Sequence, residues 1–470
     1  MRFILKHLSA LPLIVIALHS GYSQDSTEWI SIKKISIEGN KKTKAQIITR
    51  ELSFDVGDSL LFSQFDSLFV WNKIRIYNTN LFNEVNLSLS HISEGQAAVL
   101  IEVDERWYLY PFPIFRLIDR NFNDWWVNRD RDLSRVNYGV RINQFNFRGR
   151  REFLRVVFQT GFTDVLNLRY NIPYIDKKQR NGLLFDLSYS EAKNVAFTTV
   201  DNVPRFTSDL DKDLRRVFRN IVRHSYRNSF YTFHYTTLGH FHVEIADTLA
   251  QLNPNYLGDE RTIQQHFYFG HSFLYDRRNN VNYPTKGERL IAGVFKHGLG
   301  IYDEGVNYWR IRLAASKYWD LKKGFYAASD VSILSTLPED RNYYNYYKIG
   351  PLREVLRGYD LNIIEGSSYV IQRNEIKHKL IGRKWDISKV MPIRQLRTFP
   401  FTVYGKVYFD QGYAKGYPNY DGSGLLDDRY LYSYGAGLDL VLVNDLTFRL
   451  EYSRNALNQT FFFINLLSLL

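Results

Sequence analysis

The residues that could hold a metal ion are three histidines within one short segment. His234, His240 and His242 are separated by even numbers of positions, so a β-strand through this segment would place all three side chains on one face. Imidazole nitrogens are common ligands of zinc, which makes the trio a conceivable metal site. Histidines on the polar face of a strand more often serve as ordinary polar residues. The sequence therefore predicts neither a metal centre nor another cofactor.

Sequence patterns of the common catalytic sites are absent. The chain contains no G-x-S-x-G nucleophile elbow, no H-E-x-x-H zinc motif and no G-x-x-x-x-G-K-[ST] phosphate loop. The acidic pairs Asp303-Glu304 and Asp427-Asp428 lie in turn-like stretches, where solvated loop tips are the usual interpretation. We therefore expect a protein that is not an enzyme.

Two acidic residues lie on the polar side of strand-like segments. Asp410 alternates with Lys406 and Tyr408, and Glu375 alternates with Lys377. A carboxylate on the inner face of a folded sheet can accept strong, charge-assisted hydrogen bonds from a guanidinium group. Asp410 and Glu375 are therefore candidate partners for an arginine.

The candidate arginine is Arg357, in the segment Leu356-Arg357-Gly358-Tyr359. Taken alone, an arginine in a loop is usually a solvated surface residue. A loop that folds inward, however, loses ~1 kcal/mol or more per fixed residue in conformational entropy, so it needs a strong anchor such as an Arg to carboxylate contact. Gly358 would let the backbone turn sharply, and Tyr359 would pack against the surrounding sheet. We therefore treat these four residues as a candidate loop anchor.

The elements that position these residues follow from the composition. The chain has 470 residues, 16% of them aromatic, and a mean hydropathy of -0.33. After the first 25 residues no apolar run approaches the ~18 residues of a membrane-spanning helix. A membrane-spanning β-barrel combines low mean hydropathy with many interfacial aromatic residues, whereas a soluble all-β protein is the alternative. The net charge of +12 is spread along the chain, which argues against a nucleic-acid partner.

Residues 1–23 have the layout of a cleavable signal peptide. Arg2 and Lys6 precede an apolar stretch from Leu8 to Leu18, and small or polar residues follow. This stretch is too short to span a membrane comfortably. The chain also has no cysteine, which fits an exported protein without a disulfide framework.

Residues 29–106 are predicted to form a separate α+β domain with the order strand, helix, helix, strand, strand. The first strand is expected to end at the turn Gly39-Asn40. Thr43 is expected to cap a helix that runs from about residue 44 to 52. The later elements are a helix over 65–76 and strands around 85–89 and 99–103.

Residues 107–470 contain about sixteen strand-like runs, separated by clusters of Pro, Gly, Asn and Asp. Apolar and polar residues alternate within these runs, but alternation alone cannot say which face points inward. Export and the aromatic content favour apolar residues outside, so that Trp309 would face lipid while Arg310 and the three histidines would face the lumen. The charged segment 196–227 is expected to hold a single strand.

The first domain resembles a polypeptide-transport-associated (POTRA) domain. The resemblance lies in the Ile37-Glu38-Gly39-Asn40 turn, the Leu81-Phe82-Asn83-Glu84-Val85 segment and the end Val99 to Glu105. Such domains precede barrels of the BamA/TamA-like outer-membrane assembly superfamily, of the bacterial surface antigen type. The rest of the chain resembles these barrels in three motifs: Leu356-Arg357-Gly358-Tyr359 matches [V/L]-R-G-[F/Y], Asp276-Arg277-Arg278 with Pro284 and Gly287 resembles a strand-turn-strand element, and Phe409-Asp410-Gln411-Gly412 resembles a strand end.

The resemblance implies a mainly β chain with a 16-stranded antiparallel transmembrane β-barrel over 107–470. It implies one small POTRA domain over 29–106, which would lie in the periplasm, and a barrel in the cell outer membrane. Five barrel strands should follow the Arg-Gly loop. The resemblance also implies that the loop arginine docks on interior acidic residues, a role that we carry over to Asp410 and Glu375.

The function that the resemblance implies is assembly or insertion of outer-membrane proteins, or polypeptide translocation. Substrate strands would pair with the POTRA sheet edge and with a barrel seam between a first strand near 108–118 and a last strand near 460–470. The expected partners are outer-membrane lipid, unfolded outer-membrane or exported polypeptides, and accessory periplasmic or lipoprotein subunits, with no nucleic acid. The alternative is a passive pore or a dedicated secretion channel for one exported partner.

Overall fold

The computed structural model describes residues 28–467 apart from 94, 118–132, 134–135, 208–211, 303–304, 350–355, 360–361 and 419–425. The predicted signal peptide, residues 1–23, lies outside the described residues. Among the described residues, no helix is both long enough and apolar enough to cross a membrane.

The N-terminal domain is a four-stranded sheet packed against two helices. Its elements are β1 (Trp29–Glu38), α1 (Ala45–Thr49), β2 (Ser59–Leu61), α2 (Phe65–Tyr77), β3 (Phe82–Ser93) and β4 (Gln96–Glu105). The strand order is β2-β1-β4-β3, in which β1 and β4 are parallel and the other pairs antiparallel. Ile47, Ile76 and Ile101 lie in its fully buried core. Strand β2 was not predicted, because three residues show no measurable alternation.

The predicted helix cap at Thr43 is wrong. The Thr43 hydroxyl donates to Glu105 Oε1 at 2.6 Å, and the backbone N–H of Thr43 donates to the same oxygen. Helix α1 begins after Lys44 without a side-chain cap. The Thr43 oxygen accepts from the Asn146 side-chain amide at 2.8 Å instead of from a helix N–H, and its hydroxyl ties the turn to the end of β4. The preceding turn does need Gly39, since its φ is +89° and a Cβ atom there would lie 1.9 Å from the Val103 carbonyl oxygen.

The rest of the chain forms one antiparallel sheet of sixteen strands, in which every strand pairs with its neighbours in barrel order. The first eight are β5 (Leu109–Leu117), β6 (Val136–Phe147), β7 (Glu152–Gly161), β8 (Thr163–Ile172), β9 (Asn181–Ala192), β12 (Arg215–Arg227), β13 (Thr232–Ile245) and β14 (Ile263–Asp276). The last eight are β15 (Gly287–His297), β16 (Tyr308–Lys322), β17 (Phe325–Leu337), β20 (Ser368–Asp386), β21 (Thr398–Lys415), β22 (Tyr430–Val441), β23 (Thr447–Asn455) and β24 (Thr460–Leu467). The predicted sixteen strands and the five strands after the Arg-Gly loop are confirmed.

The barrel turns its apolar residues outward. Phe158, Leu166, Trp309 and Phe462 are among many large apolar side chains exposed on the outer face, whereas Arg310 points inward and donates to the Tyr347 hydroxyl. This is the arrangement of a transmembrane barrel, since a soluble barrel would bury these apolar residues. The orientation that export and aromatic content predicted is confirmed.

The connections between barrel strands alternate between the two ends of the barrel. We call the end that meets the N-terminal domain the proximal rim and the opposite end, which carries the longest connections, the distal rim. The prediction of a single strand in 196–227 is wrong, because a hairpin of β10 (Ala196–Val200) and β11 (Val203–Phe206) precedes barrel strand β12. The two strands of this hairpin are too short for the alternation of polar and apolar residues that marks a membrane strand.

The distal loops pack against one another. The hairpin contacts α3 (Asp247–Leu252) and the segment that holds the short strands β18 (Lys348–Ile349) and β19 (Ile364–Glu365). Tyr346 stacks on Tyr417 with ring centroids 3.9 Å apart, and the Thr199 and Tyr343 hydroxyls lie 3.0 Å apart. These contacts form a compact cover over this end of the barrel.

Candidate functional site

Arg357 lies inside the barrel and contacts both predicted carboxylates. Its Nε and Nη2 donate to Asp410 Oδ2 and Oδ1 at 2.7 and 2.5 Å, and its Nη1 donates to Glu375 Oε2 at 3.0 Å. The guanidinium also lies over the Tyr408 ring, 3.9 Å from its centre, and 3.7 Å from Glu451 Oε1. Arg357 is 7% exposed and Asp410 is fully buried. The contact therefore has the geometry and burial of a strong bidentate ion pair.

The neighbours of Arg357 fix the loop around it. Gly358 has a φ of +84°, and a Cβ atom there would crowd the side chains of Ser433 and Ser453 at 3.2 and 3.3 Å. The Tyr359 hydroxyl donates to the Tyr432 carbonyl at 3.0 Å. Leu356 belongs to a buried cluster between the loop and the wall. All four residues of the candidate anchor thus touch the barrel wall.

The motif around Asp410 suggested that this residue lies at a strand end, but it does not. Strand β21 continues to Lys415, and Asp410 pairs with Arg373 of β20 and Ser433 of β22 in the middle of the sheet. Glu375 lies on β20 and also pairs with Lys377 at 3.0 Å. The carboxylates are therefore held by three hydrogen-bonded strands rather than by a turn.

The seam between the first and last barrel strands has no backbone ladder. Within their described residues no pairing joins β5 to β24. Tyr108 O accepts a hydrogen bond from Phe145 N on the β6 side, so odd-numbered residues of β5 direct their backbone groups to the seam. Pro111 and Pro113 occupy two of these odd positions and have no N–H. The seam edge of β5 is therefore poor in donors, a feature visible only once the register is known.

The strand-turn-strand motif lies on the proximal rim between β14 and β15. Asp276 accepts hydrogen bonds from the Arg278 guanidinium at 2.8 and 2.6 Å, at the start of the turn that contains Pro284. Gly287 has a φ of +108°, and a Cβ atom there would lie 2.2 Å from the Arg277 carbonyl oxygen. The Arg277 side chain instead stacks over Trp71 of the N-terminal domain, 4.5 Å from the ring centre. The motif thus forms part of the contact between the two domains.

Asp445 is the centre of that contact, and sequence reasoning missed it. It accepts hydrogen bonds from Tyr77 of α2, from Arg106 of the linker and from Asn280 and Asn282 of the β14–β15 turn at 3.0 to 3.3 Å. Burial and the nearby carboxylate raise the pKa of Tyr77 to about 12, so its hydroxyl remains a donor. Arg106 leads directly into β5, whereas Asp445 lies between β22 and β23. The contact therefore bridges the two sides of the seam at the proximal rim.

Glu51 forms a second link between the domains. Its carboxylate accepts two hydrogen bonds from Arg227, at the proximal end of β12, at 2.7 and 2.6 Å. Burial alone would raise the pKa of Glu51, but Arg227 together with Arg151 and Arg50 outweighs burial and lowers it below 4.5. Glu51 is therefore ionised whenever the domain is docked near neutral pH.

The three histidines do not face the lumen. His234, His240 and His242 share the outward parity of the exposed Leu238, and the lumen face of β13 carries buried Thr237 instead. Periodicity cannot distinguish the faces, and polar residues are not confined to the lumen here. Among the residues that the structure describes, no three His, Asp or Glu side chains are grouped so as to hold a metal ion.

The Arg357 contact yields a prediction for stability. We expect Arg357→Ala to destabilise the barrel by about 3 kcal/mol, because it leaves buried Asp410 without its partner. A double-mutant cycle with Asp410→Ala should show a coupling energy above about 1 kcal/mol, measured by denaturant unfolding in lipid. Arg454→Ala, on the outer face, is the control. Additive effects of the two lumen substitutions, with unchanged protease access to the loop, would contradict the anchor.

The Glu51 contact yields a prediction for pH. Because the folded pKa of Glu51 is lowered, its stabilisation is present above its unfolded value of 4.5 and is lost as the pH falls through the folded value. A cysteine introduced as Glu84→Cys, beside Lys384 in a chain with no other cysteine, is labelled at pH 7 with benzophenone maleimide, and the yield of its photo-cross-link to the barrel at the test pH reports docking. We expect the yield to fall below pH 4.5, and Glu51→Gln to lower it at pH 7 while Asp66→Asn does not. A yield independent of both changes would contradict this link.

Comparison with known proteins agrees with this architecture. A sequence profile of the Omp85 superfamily domain matches residues 146–455, and a POTRA profile, described as a surface antigen variable number repeat, matches residues 30–106. The crystal structure of BamA from Haemophilus ducreyi lacking POTRA domains 1-3 is 17% identical, covers 93% of this chain and 83% of its own, and has a TM-score of 0.50. CdiB from Escherichia coli is 13% identical, with 94% and 75% covered and a TM-score of 0.52. No curated protein sequence gives a significant match.

At these identities the two solved structures are evidence for the fold alone. The profile match is independent of them and spans well over half of the chain. The sixteen-stranded barrel includes all of these residues and extends beyond them at both ends. We conclude that this protein belongs to the Omp85 superfamily of outer-membrane β-barrels and carries a POTRA domain ahead of its barrel.

Proposed function

We propose that this protein is a non-enzymatic factor that assembles outer-membrane proteins or translocates polypeptides by pairing with their β-strands. The barrel would lie in the cell outer membrane with the POTRA domain in the periplasm, where accessory subunits could join it. The observation that carries the proposal is the seam without a ladder between β5 and β24 in their described residues.

The two seam edges differ in what they offer a client strand. Asn455 N donates to Gln459 O in the turn before β24, so even-numbered residues of β24 direct their backbone groups to the seam. Phe462 and Ile464 thus present complete donor and acceptor pairs, whereas β5 has prolines at two of its seam positions. An unpaired strand edge is a template for another strand. Strand augmentation at β24 follows from this difference.

The POTRA domain offers a second edge. Strand β3 lies at the end of the domain's sheet and pairs only with β4 among the described residues. Asn83, near its start, donates to the Gln395 carbonyl on the proximal rim at 3.0 Å. A client strand added to β3 would therefore be delivered next to the mouth of the barrel.

The alternative, a passive pore or a channel for one exported partner, fits less well. The Arg357 loop lies inside the barrel, the distal loops pack into a cover, and the POTRA domain is bound across the proximal rim. Each of these reduces the open cross-section. A large, steady single-channel conductance of the intact protein would favour the alternative.

Depletion of the protein in its native cells tests the proposed function. We expect a loss of several outer-membrane barrel proteins, quantified by mass spectrometry of the outer membrane. Re-expression of the wild-type chain should restore them. Loss of a single exported protein would instead support the alternative, and an unchanged outer membrane would contradict both.

The prolines of β5 give a sharper test of the seam. Pro111→Val with Pro113→Val supplies two donors worth about 1 kcal/mol each, so we expect the population of a paired seam to rise roughly 30-fold relative to the unpaired seam. Hydrogen exchange at the Phe462 and Ile464 amides should slow, and the variant should restore the depleted barrels poorly. Pro392→Val, in a proximal turn, is the matched control. Full restoration of the barrel proteins by a variant with slowed exchange would contradict a role of the seam in the function.

A further inference from the structure

Among the residues that the structure describes, one side of the lumen is lined by arginines that outnumber the acidic residues beside them. Five of them point inward from β6, β7, β8 and β12, and we call this group the arginine wall. Its members are Arg141, Arg155, Arg169, Arg219 and Arg223. Among the described residues of the barrel strands from β6 to β13, Asp186 is the only acidic residue at an inward position.

Asp186 neutralises only part of the wall. It pairs with Arg169 at 2.5 Å and lies 3.7 Å from Arg219. The side chains of these two arginines remain 35% and 36% exposed within the lumen. With five guanidinium groups and one carboxylate, the wall keeps four positive charges.

The other arginines are held by neutral groups. Arg155 Nε donates to the Asn143 side chain at 2.9 Å, and Arg223 Nε donates to the Thr237 hydroxyl at 3.1 Å. Arg141 lies over the Phe112 ring, 4.9 Å from its centre, and its Nε has no hydrogen-bond partner. These contacts orient the guanidinium groups without cancelling their charge.

The opposite side of the lumen is different, since each of its acids has a cation at hydrogen-bonding distance. Its acidic residues are Asp330, Glu375, Asp410, Asp439 and Glu451. Its cations are Arg357, Arg373, Lys377, Lys406 and Arg449. Five charges of each sign leave strands β17 to β23 neutral, whereas Arg289, Arg310 and Arg312 at inward positions of β15 and β16 add to the positive charge of the arginine wall.

The spacing of the wall matches an extended polypeptide. Arg155 and Arg169 are directly opposite each other on β7 and β8, where like charges repel. Arg219 and Arg223 lie two residues to either side of Ile221, which pairs with Asp186 in the same row. Rows two residues apart are about 7 Å apart, the same distance that separates side chains on one face of an extended strand. Alternate acidic residues of such a strand would meet successive rows.

We propose that the arginine wall binds acidic segments of client polypeptides in extended conformation. This inference rests on the proposed function, because a client that parts the seam beside β5 would reach the lumen next to β6, the first strand of the wall. Guanidinium groups bind carboxylates through paired hydrogen bonds, and a charged cleft with low-dielectric walls concentrates counter-charges. Clients would therefore be selected by acidic residues at alternate positions.

Peptide binding to the purified full-length protein tests the proposal. The probes are fluorescent decapeptides of alternating Glu and Ser, Gln and Ser, or Lys and Ser, measured by anisotropy at low and high salt. We expect only the Glu peptide to bind. The variant Arg155→Gln with Arg219→Gln and Arg223→Gln should weaken it at least about tenfold, or about 1.4 kcal/mol. The control carries Arg216→Gln, Lys317→Gln and Arg454→Gln, which remove the same charge from the outer face.

Several outcomes would overturn the proposal. The first is equal affinity for the Glu and Gln peptides, and the second is equal weakening in the two triple variants. The third is displacement of the peptide by phosphatidylglycerol micelles under conditions in which the Glu peptide binds no better than the Lys peptide. Heat-modifiable migration in gels confirms that each variant is folded. The binding result does not depend on the depletion experiment, so Glu-specific binding without a defect in depleted cells would support the wall and contradict the proposed function.

Discussion

A charge that is fully buried in the wall of this barrel needs a counter-charge, and the Arg357 ion pair is where that requirement shapes the fold. Asp410 is fully buried in the middle of a three-strand ladder, and Glu375 lies beside it. Among the described residues, the Arg357 guanidinium of the loop is the group that hydrogen-bonds to both carboxylates. The loop between β17 and β20 is therefore drawn into the lumen, and Gly358 and Tyr359 hold it there. The distal cover follows, because the same segment carries Tyr343 and Tyr346 into it.

Much of this arrangement could be predicted from the sequence. Period-two alternation marks strands whose two faces differ, so the barrel strands and the inward parity of Asp410 and Glu375 were readable. The same alternation cannot say which face a histidine lies on, and His240 proved to be outward. The cap at Thr43 failed because Glu105, 62 residues away, competes for its hydroxyl. A single sequence contains neither strand register nor tertiary contacts. The roles of Asp445, Pro111 and Pro113 therefore could not be predicted from it.

The seam, the rim and the POTRA domain form one mechanical unit. Arg106 precedes the first barrel strand, and Asp445 precedes the last two, so their ion pair ties the proximal ends of both sides together. Farther along the seam Pro111 and Pro113 remove donors from one edge. The contact between the two sides of the seam is thus strong at the proximal rim and weak farther along the strands. Any change in how the domain docks acts directly on the strands that a client would have to part.

The contact of the POTRA domain with the proximal rim also decides where the chain can accept additional residues. Turns at 149, 179, 278 and 445 each bond to the domain, so an insertion in any of them would separate groups that now touch. The distal loops have no second domain to fit. We therefore expect insertions and epitope tags to be tolerated in the distal loops and not in these proximal turns.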